Sequence, residues 1–317
     1  MLSRVASSIY WINRYIERAE NYARFIDVNH RVTMDLPPGL EEQWRPLVET
    51  TGGFQQFEEK YGVEYSRRNV IKFLVFDTEN PNSIISCLSL ARENARTVRE
   101  IISSEMWLQI NKSYLNVKQG ITESNWSENN LSEMLMSVKM GGHTFEGVMD
   151  ATYSHGEGWH FGITGRNLER ADKTARILDM KYYYLLPKVQ DVNTPLDMIQ
   201  WSALLRSAGA YEMYRKQYGK LEIKKIITFL ALDRNFPRSM HYCLIAAERS
   251  LHAITGTSIF SFSTAAEKEL GKLRSEMDYT DIEDIMNQGL HEYLDNFQIK
   301  HNKVSDVIFE TFFSIRE

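Results

Sequence analysis

The sequence predicts an all-α protein, a single globular helical bundle built from two duplicated halves related by a pseudo-twofold axis. Three observations carry that expectation. Apolar residues recur three and four apart along most of the chain, and no segment alternates with a period of two. Only 7 prolines and 17 glycines stand among 317 residues, so few positions interrupt a helix. The chain also repeats itself. Arg14, Glu17, Arg18, Ala19, Ala23, Arg24 and Asp27 return at the same spacing as Arg166, Glu169, Arg170, Ala171, Ala175, Arg176 and Asp179. Trp44, Leu47, Gly52, Tyr61 and Gly62 return as Trp201, Leu204, Gly209, Tyr218 and Gly219. Phe73, Leu74, Asp77, Pro81, Ser83 and Cys87 return as Phe229, Leu230, Asp233, Pro237, Ser239 and Cys243. Three ordered matches whose offset drifts by only a few residues read as a tandem duplication.

The elements follow in order. Ile9, Ile12, Ile16, Ala19, Ala23 and Ile26 make one continuous face, which predicts a first helix over 9–29. Its counterpart runs over 161–184 and stops before Pro187. Thr194, Pro195 and Asp197 give a capping hydroxyl, a proline at the first helical position and an acid in the first turn. The helix they open is expected to reach Gly219. Further helices are expected over 66–76, 83–101, 104–117, 128–152, 221–232, 239–254, 262–278 and 283–314. The repeated Asp77-x3-Pro81 and Asp233-x3-Pro237 fall between helices. The halves divide near residue 153, where Gly156 and Gly158 suit an irregular connection, giving repeats over 1–152 and 153–317 in one compact unit.

Composition bounds the function. A net charge of −5 with no long basic run offers no attraction to nucleic acid. The N-terminus lacks the charged-then-apolar plan of a secretory signal, because Arg14 and Glu17 interrupt its apolar residues. The longest mostly apolar stretch, 226–232, is too short to span a bilayer. Two cysteines at equivalent positions argue against a disulfide framework and for two matching buried niches. A cytoplasmic protein without membrane or nucleic-acid partners is expected.

The chemistry is expected in the repeated helix. A solvent-facing charge has little physical reason to reappear unchanged in a diverged copy, so Arg14, Glu17, Arg18 and Arg24 and their counterparts Arg166, Glu169, Arg170 and Arg176 point somewhere that matters. Arg14 with Glu17, and Glu20 with Arg24, are spaced to pair within the helix. Two readings stay open. In one, Glu17 and Arg18 exchange partners with Glu169, Arg170, Asp77 or Asp233 and fix how the halves align. In the other, Arg14, Arg18, Arg166 and Arg170, with Asp77, Asp233 and Arg238, bind an anionic substrate while Glu17 and Glu169 anchor an amine or move a proton. His155, in the connecting loop, is a candidate general base. The spacing of His155, Glu157 and His160 fits no helical pair of metal ligands, and no metal or cofactor is assigned. Arg238 before Ser239 opens a helix and suits an anion, whereas Ser83 and Ser239 read as simple helix starts. No phosphate-binding glycine loop, nucleophile elbow or paired-histidine zinc motif occurs.

Beyond these readings, the opening run from Met1 to Asn21, the Ser154–Trp159 segment, Gly165 to Asp172 and Asp233 to Ser239 resemble the bacterial alpha-E domain family, which is all-helical and named for its Glu-Arg motif. The resemblance covers essentially the whole chain. It places the motif at Glu17, Arg18, Glu169 and Arg170, and departs where Asn13 stands for the glycine that Gly165 keeps. The resemblance implies a setting beside a circularly permuted ATP-grasp ligase and a transglutaminase-like peptidase. The expected role is then a helical component of peptide or amide biosynthesis, binding an anionic amino-acid or peptide-like substrate between the two Glu-Arg helices. The alternative is a non-catalytic scaffold that docks the ligase, with the Glu-Arg pairs structural. Neither reading decides whether the chain is an enzyme.

Overall fold

The computed structural model describes residues 1–34, 43–120, 126–184 and 195–314, and among them every regular element is helical. The first part contains α1 (Ser3–Met34), α2 (Arg45–Thr50), α3 (Phe54–Tyr61), α4 (Arg67–Ile71), α5 (Ile84–Thr97), α6 (Ser104–Gly120) and α7 (Glu128–Thr152). The second contains α8 (Glu157–Tyr184), α9 (Pro195–Ser207), α10 (Tyr211–Tyr218), α11 (Ile223–Ala231), α12 (Met240–Thr255), α13 (Ala265–Asp278), α14 (Ile282–Gln288) and α15 (Leu290–Ile308). Among the described residues no helix is long and apolar enough to cross a membrane.

The two long helices α1 and α8 lie against each other at the centre. Around them, α5 and α7 pack on α1, while α12 and α15 pack on α8. The apolar stripe of α1 accounts for its place: Ile9, Ile12, Ala19, Ala23 and Ile26 are all buried. One continuous apolar cluster draws side chains from both sides of residue 153, among them Phe73, Phe161, Ala171 and Phe229. A smaller cluster joins Ile12 and Ile16 to Ile110, Phe145 and Met149, so α1 is gripped on two faces.

Glycines correct the expected helix lengths. The helix expected to run to Gly219 stops at Ser207 and restarts at Tyr211, because Gly209 adopts φ +64°. A left-handed residue there ends a helix in the manner of a C-terminal glycine cap. Gly52 does the same between α2 and α3 at φ 74°. The helix expected over 283–314 is likewise cut by Gly289 at φ +99°. Helix α1 extends beyond the expected 9–29, and α5 ends at Thr97 rather than near 101. Thr194 and Pro187, read as helix boundaries, lie outside the described residues.

The junctions after α4 and α11 are alike. Helix α4 continues as a π-helical turn, Lys72–Phe76, and the Asp77 amide donates to the Lys72 carbonyl at 3.0 Å. The Asp233 amide donates to the Thr228 carbonyl, also five residues back, at 3.1 Å. Ser83 and Ser239 then start α5 and α12 by accepting the amides of Ser86 and Tyr242, as expected of helix caps. The thiols of Cys87 and Cys243 sit buried against the Pro81 and Pro237 carbonyls at 3.9 and 3.6 Å. Burial pushes both thiols up to about 12, far from the reactive thiolate range.

Candidate functional site

On α1, Glu17 and Arg18 are adjacent and face α8; on α8, Glu169 and Arg170 face back. The pairs cross. Arg170 donates to Glu17 from Nε at 2.9 Å and Nη2 at 2.7 Å. Arg18 donates to Glu169 from Nε at 2.6 Å and Nη2 at 2.9 Å. Both are two-pronged contacts, the geometry in which a guanidinium holds a carboxylate most firmly. Each of the two central helices thus carries a Glu-Arg pair. The chain belongs to the Alpha-E family. That family is described as a predicted alpha-helical domain with a conserved ER motif, and its match covers residues 1–313. Uncharacterized proteins of Mycobacterium bovis and of a Mycobacterium tuberculosis strain are each 24% identical to this Alpha-E chain over 333 residues. A protein from a second tuberculosis strain is 23% identical over the same length. Each alignment takes in 97% of this chain but only 36% of the relative, so the chain spans about a third of the curated proteins it matches. No solved structure matches the chain.

Further charges complete the network. Arg238, at the mouth of α12, reaches Glu17 and Glu20 at 2.9 Å each. Arg14 donates to Glu169 at 2.9 Å and to the Tyr10 hydroxyl at 3.1 Å, with its guanidinium 5.0 Å from the Trp11 ring centre. The pairing of Arg14 with Glu17 inside the helix therefore does not form. Lys173 lies 3.4 Å from Glu169. Arg24 pairs with Glu20 one turn back, as its spacing predicts, and Arg176 pairs with Asp172 at 2.9 Å in the same way. On the outer side of α8, Glu146 of α7 touches Arg166 at 3.1 Å and Arg170 at 3.2 Å.

Burial decides what these charges can do. Glu169 is fully buried and Glu17 is 5% exposed. Burial alone would raise both carboxyls, but Arg170 and Arg238 outweigh it at Glu17, and Arg18, Lys173 and Arg14 at Glu169. Both therefore stay ionised well below the usual carboxylate range, which suits an ion pair and not a proton carrier. Arg14, beside Tyr10 and Glu169, and Arg170, beside Glu17, are held more firmly protonated than burial loosens them. Arg24 differs: burial and the nearby Arg238 bring it down to about 9. His301 of α15 is buried beside this network, and burial brings it down to about 4 despite Asp172.

Of the residues predicted for the site, Glu17, Glu169, Arg14, Arg18, Arg166, Arg170 and Arg238 are brought together. Three are not. Asp77 accepts Lys60 at 2.9 Å and the Glu79 amide at 3.0 Å. Asp233 accepts the amides of Asn235 and Phe236 at 2.7 Å each, closing its own turn. His155 sits exposed on the turn before α8, 2.9 Å from the Asp150 carbonyl and stacked on Trp159. Among the described residues no three of His, Cys, Asp and Glu are placed to hold a metal ion. The sequence reading missed Glu146 as well as Asp172, and it named Glu20 only as the helical partner of Arg24. Glu20 and Asp172 were visible as matched acids in the repeated helix. Glu146 lies outside every repeated block and had no signal.

The space beside the network is small. A cavity of about 10 Å³, the room of one water, is lined by Glu17, Glu20, His143, Glu146, Arg166 and Arg238. A larger cavity of about 380 Å³ lies elsewhere, between α13, α14 and α15, around Met277, Tyr293 and Lys300.

Proposed function

We propose that the chain is a non-catalytic helical module that docks a partner enzyme, with the Glu-Arg pairs acting as the clasp between α1 and α8. In this reading it is an internally duplicated bundle, with repeats over 1–152 and 153–317 about a pseudo-twofold axis. The partner is the circularly permuted ATP-grasp ligase of a bacterial cytoplasm that the family resemblance implies, with the transglutaminase-like peptidase in the same peptide- or amide-forming system. One observation carries the reading: each motif glutamate is filled by arginines of the same chain, and the cavity beside Glu17 admits one water. An amino-acid substrate needs a cavity many times larger.

Other features support it. The matched thiols are inert, and the matched aspartates close turns, so neither offers a nucleophile or base at the clasp. Reciprocal pairs, left-handed glycines at Gly52 and Gly209, and the paired junctions at Asp77 and Asp233 are what a duplication leaves behind. Relatives nearly three times as long suit a module that works joined to other domains. The competing reading, substrate bound by Arg14, Arg18, Arg166 and Arg170 with Glu17, Glu169 and His155 in acid-base roles, requires the clasp to open.

Size-exclusion chromatography with light scattering of the chain mixed with an ATP-grasp ligase of the kind the resemblance implies, from the same source, tests the proposal. A stoichiometric complex that survives dilution into the micromolar range is expected. Two proteins eluting separately, while the purified chain alone turns over an amino-acid or peptide substrate, would overturn it.

A further inference from the structure

The clasp is not equally finished on its two sides. Around Glu169 every carboxylate oxygen is taken by a side chain of α1 or α8. Around Glu17 the guanidiniums of Arg24, Arg166, Arg170 and Arg238 face three carboxylates: Glu17, Glu20 and Glu146. The third is unlike the others. The Glu146 side chain is 37% exposed, and its contacts at 3.1 and 3.2 Å are longer than any motif pair. It arrives from a different element. Gly142 lets α7 approach closely, since a Cβ there would stand 2.9 Å from Glu20 Cγ, and Glu146 follows one turn later on the same face.

We propose that the mouth lined by Arg166, Arg238 and His143 is a binding subsite for the carboxylate group of a small molecule, occupied in the closed protein by Glu146 as an internal stand-in. Arg166 lines the cavity and its buried Nε has no hydrogen-bond partner, so the site holds an unused donor beside the carboxylate it already binds. The positional counterpart makes the contrast. Arg14 is satisfied by Glu169, Tyr10 and the Trp11 ring, and its proton is held more tightly than usual. Burial and the neighbouring Arg170 instead loosen the proton of Arg166, as expected of a cation short of negative charge. Swinging the Glu146 side chain into solvent leaves two carboxylates against four guanidiniums and enlarges the cavity by a carboxylate group. An incoming carboxylate restores the count of three and can take the two-pronged contact that Glu146 does not make. His143, half-exposed at the rim and 3.7 Å from Glu20, faces the same opening. Burial and the arginines Arg238 and Arg24 favour its neutral form, in which it can donate or accept.

The test is direct. Arginine Nε–H resonances are recorded for wild type, Glu146→Ala and Glu146→Gln during titration with sodium formate against sodium chloride at constant ionic strength. The Arg166 resonance is identified by its loss in Arg166→Gln. In both Glu146 variants it should move saturably with formate. Its midpoint should lie roughly tenfold or more below that of wild type, where formate competes with a tethered carboxylate. Formate should also raise the melting temperature of Glu146→Ala and not of Glu146→Ala combined with Arg166→Gln. If Glu146→Ala does not fold, the isosteric Glu146→Gln carries the same comparison. No saturable shift in the folded variants, or an equal shift with chloride, overturns the proposal. The clasp itself stands or falls separately, on Glu17 and Glu169.

Discussion

Replacing Glu169 by Gln removes one charge at the most enclosed point of the clasp. The carboxylate is fully buried and accepts both prongs of Arg18, one of Arg14, and lies 3.4 Å from Lys173. Its loss leaves Arg14 and Arg18 without their counter-ion, while Lys173 keeps Asp172 at 2.9 Å, and breaking a buried pair this way costs about 3–5 kcal/mol. For a chain of this size each kcal/mol moves the midpoint by about 2 °C, so the variant should melt roughly 6–10 °C below wild type at neutral pH. Glu17→Gln should lose less, about 2–3 kcal/mol, because Glu20 and Glu146 remain beside Arg238 and Arg170. The pH dependence has a definite sign. Both carboxyls are depressed in the fold, so their contribution is whole above the unfolded value and fades as pH falls through the folded one. The gap between wild type and either variant should therefore narrow below about pH 4. Calorimetric melting at neutral and acid pH reads all of this. Glu169→Gln melting within about 2 °C of wild type, or Glu17→Gln proving the more damaged, would refute the account of the clasp.

Two further outcomes follow from particular residues. His301 is buried neutral with its value lowered from 6.5 to about 4, so the unfolded chain binds the extra proton between those pH values. Wild type should lose about 3 kcal/mol across that window as pH falls, and denaturant titrations of His301→Gln should show a visibly flatter slope. Gly209→Ala should destabilise more than Gly52→Ala. Both glycines have positive φ, costing about 1 kcal/mol to an alanine, but only at Gly209 would the new Cβ stand 2.6 Å from Arg24 Nη1. Equal losses in chemical denaturation would mean that Arg24 moves aside freely.

The helices were legible because burial on one face leaves a period in the sequence. Ile9 to Ile26 announce α1 without any knowledge of what covers it. The breaks at Gly209 and Gly289 were less visible, since a glycine within an apolar pattern reads equally as a tolerated interruption or as a left-handed cap. The match of Gly52 with Gly209 hinted at a cap, yet the expected helix runs straight through Gly209 to Gly219. The clasp was half legible. Repetition singled out Glu17, Arg18, Glu169 and Arg170, but a repeat cannot say whether four charges pair with one another or with a ligand. Glu146 was invisible, because its role depends on how closely Gly142 brings α7 to α1, which is a fact of packing and leaves no local pattern. Asp77 and Asp233 were repeated for a different reason: each precedes a proline turn whose backbone amides need an acceptor.

The crossing of the motifs also sets an order of events. Glu17 and Arg170 are 153 positions apart, and Arg18 likewise pairs with Glu169, so the motif of α1 meets its partners only once α8 is made. At a synthesis rate of about 5–20 residues per second, α1 waits roughly 8–30 s before its counter-ions emerge. During that interval Glu17 and Arg18 keep one side of α1 in water, and the apolar stripe beside them has only part of its eventual cover. The charges that lock the finished bundle thus postpone its closure until α8 exists, which makes completion of the fold a late step in the life of the nascent chain.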